Sequence, residues 1–411
     1  MTRRLRVLVS AYACEPDRGS DPGVGWNQVL QIARFNEVWV ITRKSNRAAI
    51  ERENSLPANI HWIYFDLPFF LRFWKKGQRG VHLYYYIWQV LIYSVARRLH
   101  RRICFDLAHH VTFVSYWAPS LLCLLPVPFV WGPVGGADGT PKAFLRGFSL
   151  RGRMYERLRR AAILLGECDP LVRLTARRAR LTLAMTRETE KRLARLGCRD
   201  VLPLGESGLG DGELRELFSL PLREGVGFRL VSVGRLLHLK GYHLSLRAFA
   251  LLKGRFPEST YWLIGGGPEL RRLKVLALQL GIAKTVRFLG KIPRRQVLEK
   301  LAECDALVHP SLHDSGGWVC LESMAAGRPV ICMALGGPAM QVSAETGIKV
   351  FAGTSEQVVR DLANAMERLA ADGTLLAHMA EAARKRVAEV FSWKAKGERM
   401  QVLYTRVLGE T

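Results

Sequence analysis

The sequence predicts an α/β protein built from two parallel-sheet domains, each covered by helices. Short apolar runs alternate with longer helical stretches along the whole chain, as in sheets whose strands are joined by crossover helices. The 411 residues are enough for two or three domains, and the composition, 49% apolar and 24% charged, is that of a globular protein. A polar, Gly-rich stretch, GESGLGDGELRELFSLPLREGVG over 205–227, separates two such halves.

The first-half strands read as LRVLVSAY, EVWVITR, IHWIYFD, LAHHV, PFVWGPV and LTLAMT. Those of the second half read as RLVSVGR, TYWLIGG, VRFLG, ALVHPS and PVICM. YHLSLRAFALLKGRF and PRRQVLEKLAEC carry helical patterning, and FSWKAKGERMQVLYTRVL at 391–408 reads as a final amphipathic helix. The predicted domains cover 1–205 and 228–390, with 206–227 as a linker. Two Rossmann-like domains facing a cleft follow, and ligands of such sheets sit beyond the carboxyl ends of the strands.

The opening MTRRLRVLVSAYAC has some features of a signal peptide, but its apolar run is short and flows into GSDPGVG, so it reads as a buried first strand. The most apolar span, VHLYYYIWQVLIYSVA at 81–96, contains His82, Gln89 and Ser94 and reads as a core or interfacial helix rather than a membrane span. The eight cysteines, at 14, 104, 123, 168, 198, 304, 320 and 332, form no CxxC pair. That argues against a zinc site and for free thiols in a reducing compartment.

Charge is uneven. Residues 1–200 hold 33 basic and 15 acidic residues and 201–411 hold 28 and 21, within a net charge of +25. A basic half implies an anionic partner. RFWKKGQRG, VHLYYYIWQVLIYSVARRLHRR and RGRMYERLRRAAILL interleave Arg and Lys with aromatic and aliphatic residues, as helices at an anionic membrane surface do. Solvated faces over a packed core are the plain alternative. Nucleic acid is the weaker reading, because no nucleic-acid-binding module accompanies the charge.

The candidate chemistry lies in the loops after strands. After RLVSVG, Arg235 and Lys240 share one strand-to-helix connection closed by Gly241. Two cations beside a helix N-terminus suit a diphosphate; two solvated cations are the alternative. Gly267, in GGGP, permits close backbone approach to a ligand or merely a tight turn. Gly290 and Lys291 end VRFLG in a similar loop that could offer backbone groups to a base. The stretch HDSGGWVCLESMAAGRPV, 313–330, carries Asp314 and Glu322 eight positions apart, with Ser315, Gly316 and Gly317 between them. Each acid alone reads as a surface or capping carboxylate, Asp314 as a cap for a helix beginning near Gly317. Together with the cations and Gly loops, they present acceptors to a polyhydroxylated ligand.

In the first half, Gly23 and Gly25 lie in a Gly-rich turn, GSDPGVGW, after the first strand, where Asp21 reads as a turn residue. His109 and His110 end DLAHH, and adjacent strand residues point opposite ways. One is expected to face the cleft while the other packs, with His110 nearer the strand end. WGPVGGAD, 131–138, is a further Gly loop at a strand end.

VGRLLHLKG, LIGGGPE, VRFLG, ALVHPSLHDSGGWVCLESMAAGRPVI and LGGP, spanning roughly 229–338, resemble in order and spacing the nucleotide-sugar-binding domain of family-4 retaining glycosyltransferases, which have the two-Rossmann GT-B fold. The final helix resembles that family's C-terminal segment, which packs back on the first domain; residues 391–411 are assigned there on that basis. The resemblance implies that Arg235 and Lys240 neutralise the donor diphosphate. It implies that Glu322, the second acid of the E-x7-E motif, takes the nucleotide ribose, and that Asp314, the first, lies near donor-sugar hydroxyls. Asp314 is one methylene shorter than the family's Glu, and Gly316 stands where an aromatic residue is frequent. Gly23 and Gly25 match a Gly-rich loop between donor and acceptor, and His109 or His110 the active-site His. The family's Pro-Asn-Gly turn is replaced by VLPLGESG.

The implied reaction is sugar transfer with retention, from a nucleoside-diphosphate sugar to the hydroxyl of a glycan, polysaccharide precursor or lipid-linked acceptor. No cofactor is expected beyond the donor substrate. No metal is expected either, since two cations can stand in for one and no Asp-x-Asp motif occurs. The expected place is the cytoplasm, peripheral at the inner face of a membrane. A non-catalytic nucleotide-sugar-binding protein and a sugar-nucleotide epimerase on the same fold are the alternatives; the intact Arg, Lys and Glu set argues against the first and the acid motif against the second. Glycoside hydrolysis by the two carboxylates is disfavoured by their strand-end setting beside phosphate-type cations.

Overall fold

The computed structural model describes residues 3–68, 80–112, 115–148 and 150–409, apart from the side chains of residues 146 and 151. The chain divides into two compact units. One comprises Met1–Ala137, Arg159–Glu206 and Trp393–Thr411; the other comprises Asp138–Leu158 and Ser207–Ser392.

The first unit holds seven parallel strands: β1 (Arg6–Ala11), β2 (Glu37–Arg43), β3 (Ile60–Phe65), β4 (Leu107–Thr112), β5 (Phe129–Val134), β6 (Leu181–Ala184) and β7 (Val201–Pro203). Their spatial order is β3-β2-β1-β4-β5-β6-β7. The second unit holds β8 (Arg229–Val233), β9 (Thr260–Ile264), β10 (Val286–Gly290), β11 (Ala306–His309), β12 (Val330–Met333) and β13 (Gly347–Val350), in the order β10-β9-β8-β11-β12-β13. Each sheet therefore reverses direction once, between β1 and β4 and between β8 and β11. The crevice at such a reversal is where doubly wound sheets bind ligands.

Helices cover both faces of each sheet, so β4 and β5 are buried at every position. Side chains alternate between two cores. In β9, Tyr261 and Leu263 join one cluster with Phe249, while Trp262 and Ile264 join another with Leu321 and Met324. In the first sheet, Leu8 and Ala108 face Trp88 and Ile92 of the helix Val81–Ile103, whereas Val7, Val9 and Leu107 face Met400 and Leu403 of the helix Trp393–Leu408. The span read as a core or interfacial helix thus buries Tyr84, Tyr85, Trp88, Ile92 and Ala96, one side of a helix. Among the described residues, no helix is long and apolar enough to cross a membrane.

Three features differ from the sequence reading. Residues 206–227 are not a loose linker: they contain the helix Asp211–Phe218, because Leu209, Leu214 and Leu217 are buried in the second unit's core. Residues 138–158, placed by sequence in the first domain, pack in the second unit, where Phe144 and Phe148 are buried and the Phe148 ring meets His238 edge-on at 4.5 Å. β7 and β13, of three and four residues, are strands that the sequence reading does not contain.

Candidate functional site

At the carboxyl end of the second sheet, neighbouring loops are joined backbone to backbone. The Leu236 N–H donates to the Gly266 carbonyl at 2.9 Å, and the Gly265 N–H to the Gly290 carbonyl at 2.8 Å. The loops after β8, β9 and β10 therefore form one surface. Gly267 is needed there: its φ is +159°, and a Cβ would lie 2.4 Å from the Leu236 carbonyl oxygen. The β8 loop is also tied to the segment after β11, through the Leu312 N–H donating to the Leu239 carbonyl at 2.8 Å.

That tie brings together Lys240 and Asp314 at the reversal between β8 and β11. Lys240 Nζ lies 2.5 Å from Asp314 Oδ2. The same oxygen accepts from His309 Nε2 at 3.0 Å, and Oδ1 accepts from the Gly317 N–H at 3.0 Å. Both carboxylate oxygens are thus engaged, but Asp314 does not cap the helix Trp318–Ala325: its N-cap is Gly317, without a side-chain cap, and Asp314 holds the Gly317 N–H just before it. Burial pushes the Asp314 carboxyl up, but the His309 hydrogen bond and charge, with Lys240, hold it well below the ordinary carboxylate range. Lys240 immediately precedes Gly241 and the helix Tyr242–Arg255, whose N-terminal amides favour an anion. Arg235 and Lys291 are exposed, and neither forms an ion pair among the described residues. Gly290 has φ +70°, with open space where a Cβ would be.

The 314–317 loop is fixed from several sides. The Gly316 carbonyl accepts from Ser207 Oγ and from Gln341 Nε2, each at 2.6 Å, and Ser315 Oγ donates to Asp138 Oδ2 at 2.6 Å. Gly317, at φ +61°, starts the helix Trp318–Ala325. In LGGP, the Gly337 N–H donates to the Asp314 carbonyl at 2.9 Å, and a Cβ on Gly336 would sit 2.2 Å from the same oxygen.

Glu322 is mostly buried on that helix and pairs with Arg294 of the helix Arg294–Ala302. Arg294 also contacts Glu213 at 3.1 Å. Burial raises the Glu322 carboxyl pKa, and the Arg294 charge and hydrogen bond act against that rise. Sequence reasoning missed Arg294, His309 and Gln341. Arg294 lies in PRRQVLEKLAEC, read only as helical, and His309 in ALVHPS, read only as a strand; the available signal was only a polar side chain within the apolar run ALVH.

In the first unit, His109 and His110 point to opposite faces of β4, and both are buried. His109 Nε2 meets the Gly132 carbonyl and Nδ1 the Tyr404 hydroxyl, each at 2.6 Å. The carbonyl can only accept, so Nε2 carries the hydrogen and Nδ1 accepts from Tyr404. Burial lowers the His109 pKa to about 4, partly opposed by the Gly132 hydrogen bond. His110 Nε2 lies 3.1 Å from the Tyr85 hydroxyl. Gly23 and Gly25 do not lie in a loop: the helix Asp21–Ala33 starts before them. A Cβ on Gly25 would lie 2.0 Å from the Ala13 carbonyl oxygen, so the glycine lets this helix approach the chain leaving β1. Among the described residues, no group of three His, Cys, Asp or Glu side chains could hold a metal ion.

The sequence profile of the family Glycosyl transferases group 1 matches residues 222–386. A D-inositol 3-phosphate glycosyltransferase from Corynebacterium jeikeium is 36% identical over 198 residues, which cover 46% of this chain and 45% of that protein. The chain thus spans less than half the length of this curated relative. A sucrose-phosphate synthase from Thermosynechococcus elongatus has the same fold, with a TM-score of 0.61 at 18% identity over 99% of this chain and 100% of that one. So does Anabaena HepE, solved in complex with UDP and glucose, with a TM-score of 0.58 at 18% identity over 98% and 100% of the two chains. Residues 222–386 of this chain are thus similar to the glycosyl transferases group 1 family, and the whole chain shares its fold with the two solved structures.

Proposed function

We propose that this protein transfers a sugar, with retention of anomeric configuration and without a metal, from a nucleoside-diphosphate sugar to an acceptor hydroxyl. The observation that carries the reading is Lys240 at the sheet reversal, beside a helix N-terminus, with the exposed Arg235 in the same loop. In the reaction, the bond from sugar C1 to the diphosphate oxygen breaks and its electron pair leaves with the diphosphate. The acceptor oxygen forms the new bond to C1, and its proton ends, directly or through solvent, on the departing diphosphate. Fixed cations at the diphosphate stabilise the charge that develops as it leaves. Glu322, held by Arg294, takes the ribose hydroxyls and fixes the nucleotide. The relatives named above support this reading, HepE by its bound UDP and the corynebacterial enzyme by its glycosyltransferase name.

The test is a transfer assay with a panel of nucleotide sugars, with the product anomer read by NMR. Lys240→Ala and Arg235→Ala should each lower kcat by about a hundredfold, in line with loss of one fixed donor at a developing anion. Turnover unchanged in both variants would refute the site, and release of free sugar without transfer would refute the reaction.

The acceptor is read as lipid-linked, presented at an anionic membrane in the cytoplasm. This rests on the helix Leu150–Cys168. It leaves Leu150 78% and Leu165 75% exposed, and Met154, Leu158 and Leu164 are exposed as well. Positions 150, 154, 158 and 165 form one apolar stripe at helical spacing, interleaved with arginines that include Arg153 and Arg157. Of the other basic stretches, the helix 81–103 turns its aromatic side into the core, and residues 72–79 lie outside the described residues. Flotation should require anionic vesicles, weaken with salt and be lost in a Leu158→Glu, Leu165→Glu variant. Equal binding to neutral vesicles would count against it.

A further inference from the structure

The amino end of the first sheet, opposite the strand-end loops of that unit, carries a second concentration of positive charge. β5, β6 and β7 begin at Phe129, Leu181 and Val201. The segments that precede them and the last turn of the helix Trp393–Leu408 enclose a cavity of about 420 Å³. Arg177, Arg178, Arg180, Arg199 and Arg406 line it, with Asp200 as the one acid. Phe129 and Val407 contribute an apolar floor. The arginines come from three separated parts of the chain, so the fold, and not a local run of sequence, assembles them.

Local pairing accounts for part of this charge. Arg406 pairs with Asp200 at 2.7 Å. Arg177 and Arg178 close the helix Pro170–Arg178, and Arg406 lies in the last turn of its own helix. Each helix C-terminus offers about half a negative charge, so two such ends and Asp200 offset roughly two of the five positive charges, leaving about +3 around one cavity. Among the described residues, Arg177, Arg178, Arg180 and Arg199 form no ion pair. Like charges brought together destabilise the folded state, so packing alone does not explain the cluster.

We propose that this cavity is a binding site for a phosphate-bearing anion, separate from the candidate donor site in the other unit. Guanidinium forks match phosphate oxygens in paired hydrogen bonds, and a phosphomonoester or diphosphate carries enough charge to balance the cluster. The phosphate can come from a free anion or from a lipid headgroup; the recognising chemistry is the same.

The experiment uses the full chain carrying Arg235→Ala and Lys240→Ala, which removes the donor-loop cations. Inorganic pyrophosphate is titrated into it by calorimetry. Binding should persist, weaken with salt, fall about tenfold or more when Arg180→Ala and Arg199→Ala are added, and be partly restored by lysine at both positions. A second arm floats the same proteins with phosphatidylcholine vesicles with and without phosphatidic acid. Dependence on Arg180 and Arg199 in the first arm identifies a free phosphate ligand. The same dependence in the vesicle arm alone identifies a headgroup, and either result supports the site. The proposal is overturned if pyrophosphate binding disappears with the donor-loop cations and vesicle binding ignores Arg180 and Arg199. It is equally overturned if these arginines bind only single-stranded RNA.

Discussion

Lys240 and Asp314, brought together from the loops after β8 and β11, form an ion pair at 2.5 Å whose acceptor oxygen is shared with His309 at 3.0 Å. The cation proposed for the diphosphate is therefore already oriented by the first acid. Asp314→Asn should lower stability by about 1–3 kcal/mol in urea unfolding at pH 7. The Asp314 pKa is lower folded than unfolded, so its contribution is complete above about pH 4 and is lost as pH falls through the folded value. The gap between wild type and variant should accordingly close below about pH 4. Equal stability at pH 7 would show that the pair contributes nothing.

Glu322 and Arg294 give a different signature. Replacing Glu322 by Gln should raise the donor KM about ten- to a hundredfold with less change in kcat, as loss of charge-assisted hydrogen bonds to a bound nucleotide does. Arg294→Ala leaves a buried carboxylate without its cation, so its pKa climbs further. The donor KM of that variant should rise as pH is lowered, whereas that of Glu322→Gln stays flat. Parallel pH profiles in the two variants would contradict the roles given to them.

Gly336 has φ +58°, and an added Cβ would collide with the Asp314 carbonyl. Gly336→Ala should displace the 314–317 loop without touching any charged group. The expected result is loss of stabilisation by UDP in a thermal-shift measurement, with only a modest change in the melting temperature of the unliganded protein. Undiminished UDP stabilisation would mean that the loop does not shape the nucleotide site.

His109 predicts an acid limb of its own. Its pKa is about 4 in the folded protein against 6.5 as its ordinary value, so its full contribution is present above about pH 6.5 and is lost as pH falls towards 4. The loss amounts to about 3 kcal/mol. In His109→Gln, the slope of stability against pH between those values should fall by about one proton. An unchanged slope would show that another group titrates there.

Much of the candidate site was legible because parallel sheets put function at strand ends, where Arg235, Lys240, Asp314 and Glu322 stand out as charges beside glycines. What partners those charges was not legible. Arg294 lies 28 positions from Glu322 and looks like any cation of a surface helix. His109 and His110 were correctly read as pointing apart, yet their neighbours, Tyr404 and Tyr85, lie far away in sequence, so nothing local showed that both would be buried. The same cause hid the excursion of residues 138–158, since the helices that receive Phe144 and Phe148 come from later in the chain. β7 and β13 are held as strands by pairing with β6 and β12, not by any pattern of their own.

The return of the helix Trp393–Leu408 to the first unit reaches beyond packing. It supplies Met400, Leu403 and Val407 to that unit's core and the hydroxyl that satisfies His109. During synthesis, these side chains emerge after every residue of the second unit. The unit translated first is thus the one completed last, and until then its sheet exposes an apolar face and an unpartnered buried imidazole. Chaperone dependence and proteolytic sensitivity of the nascent chain should concentrate in this half.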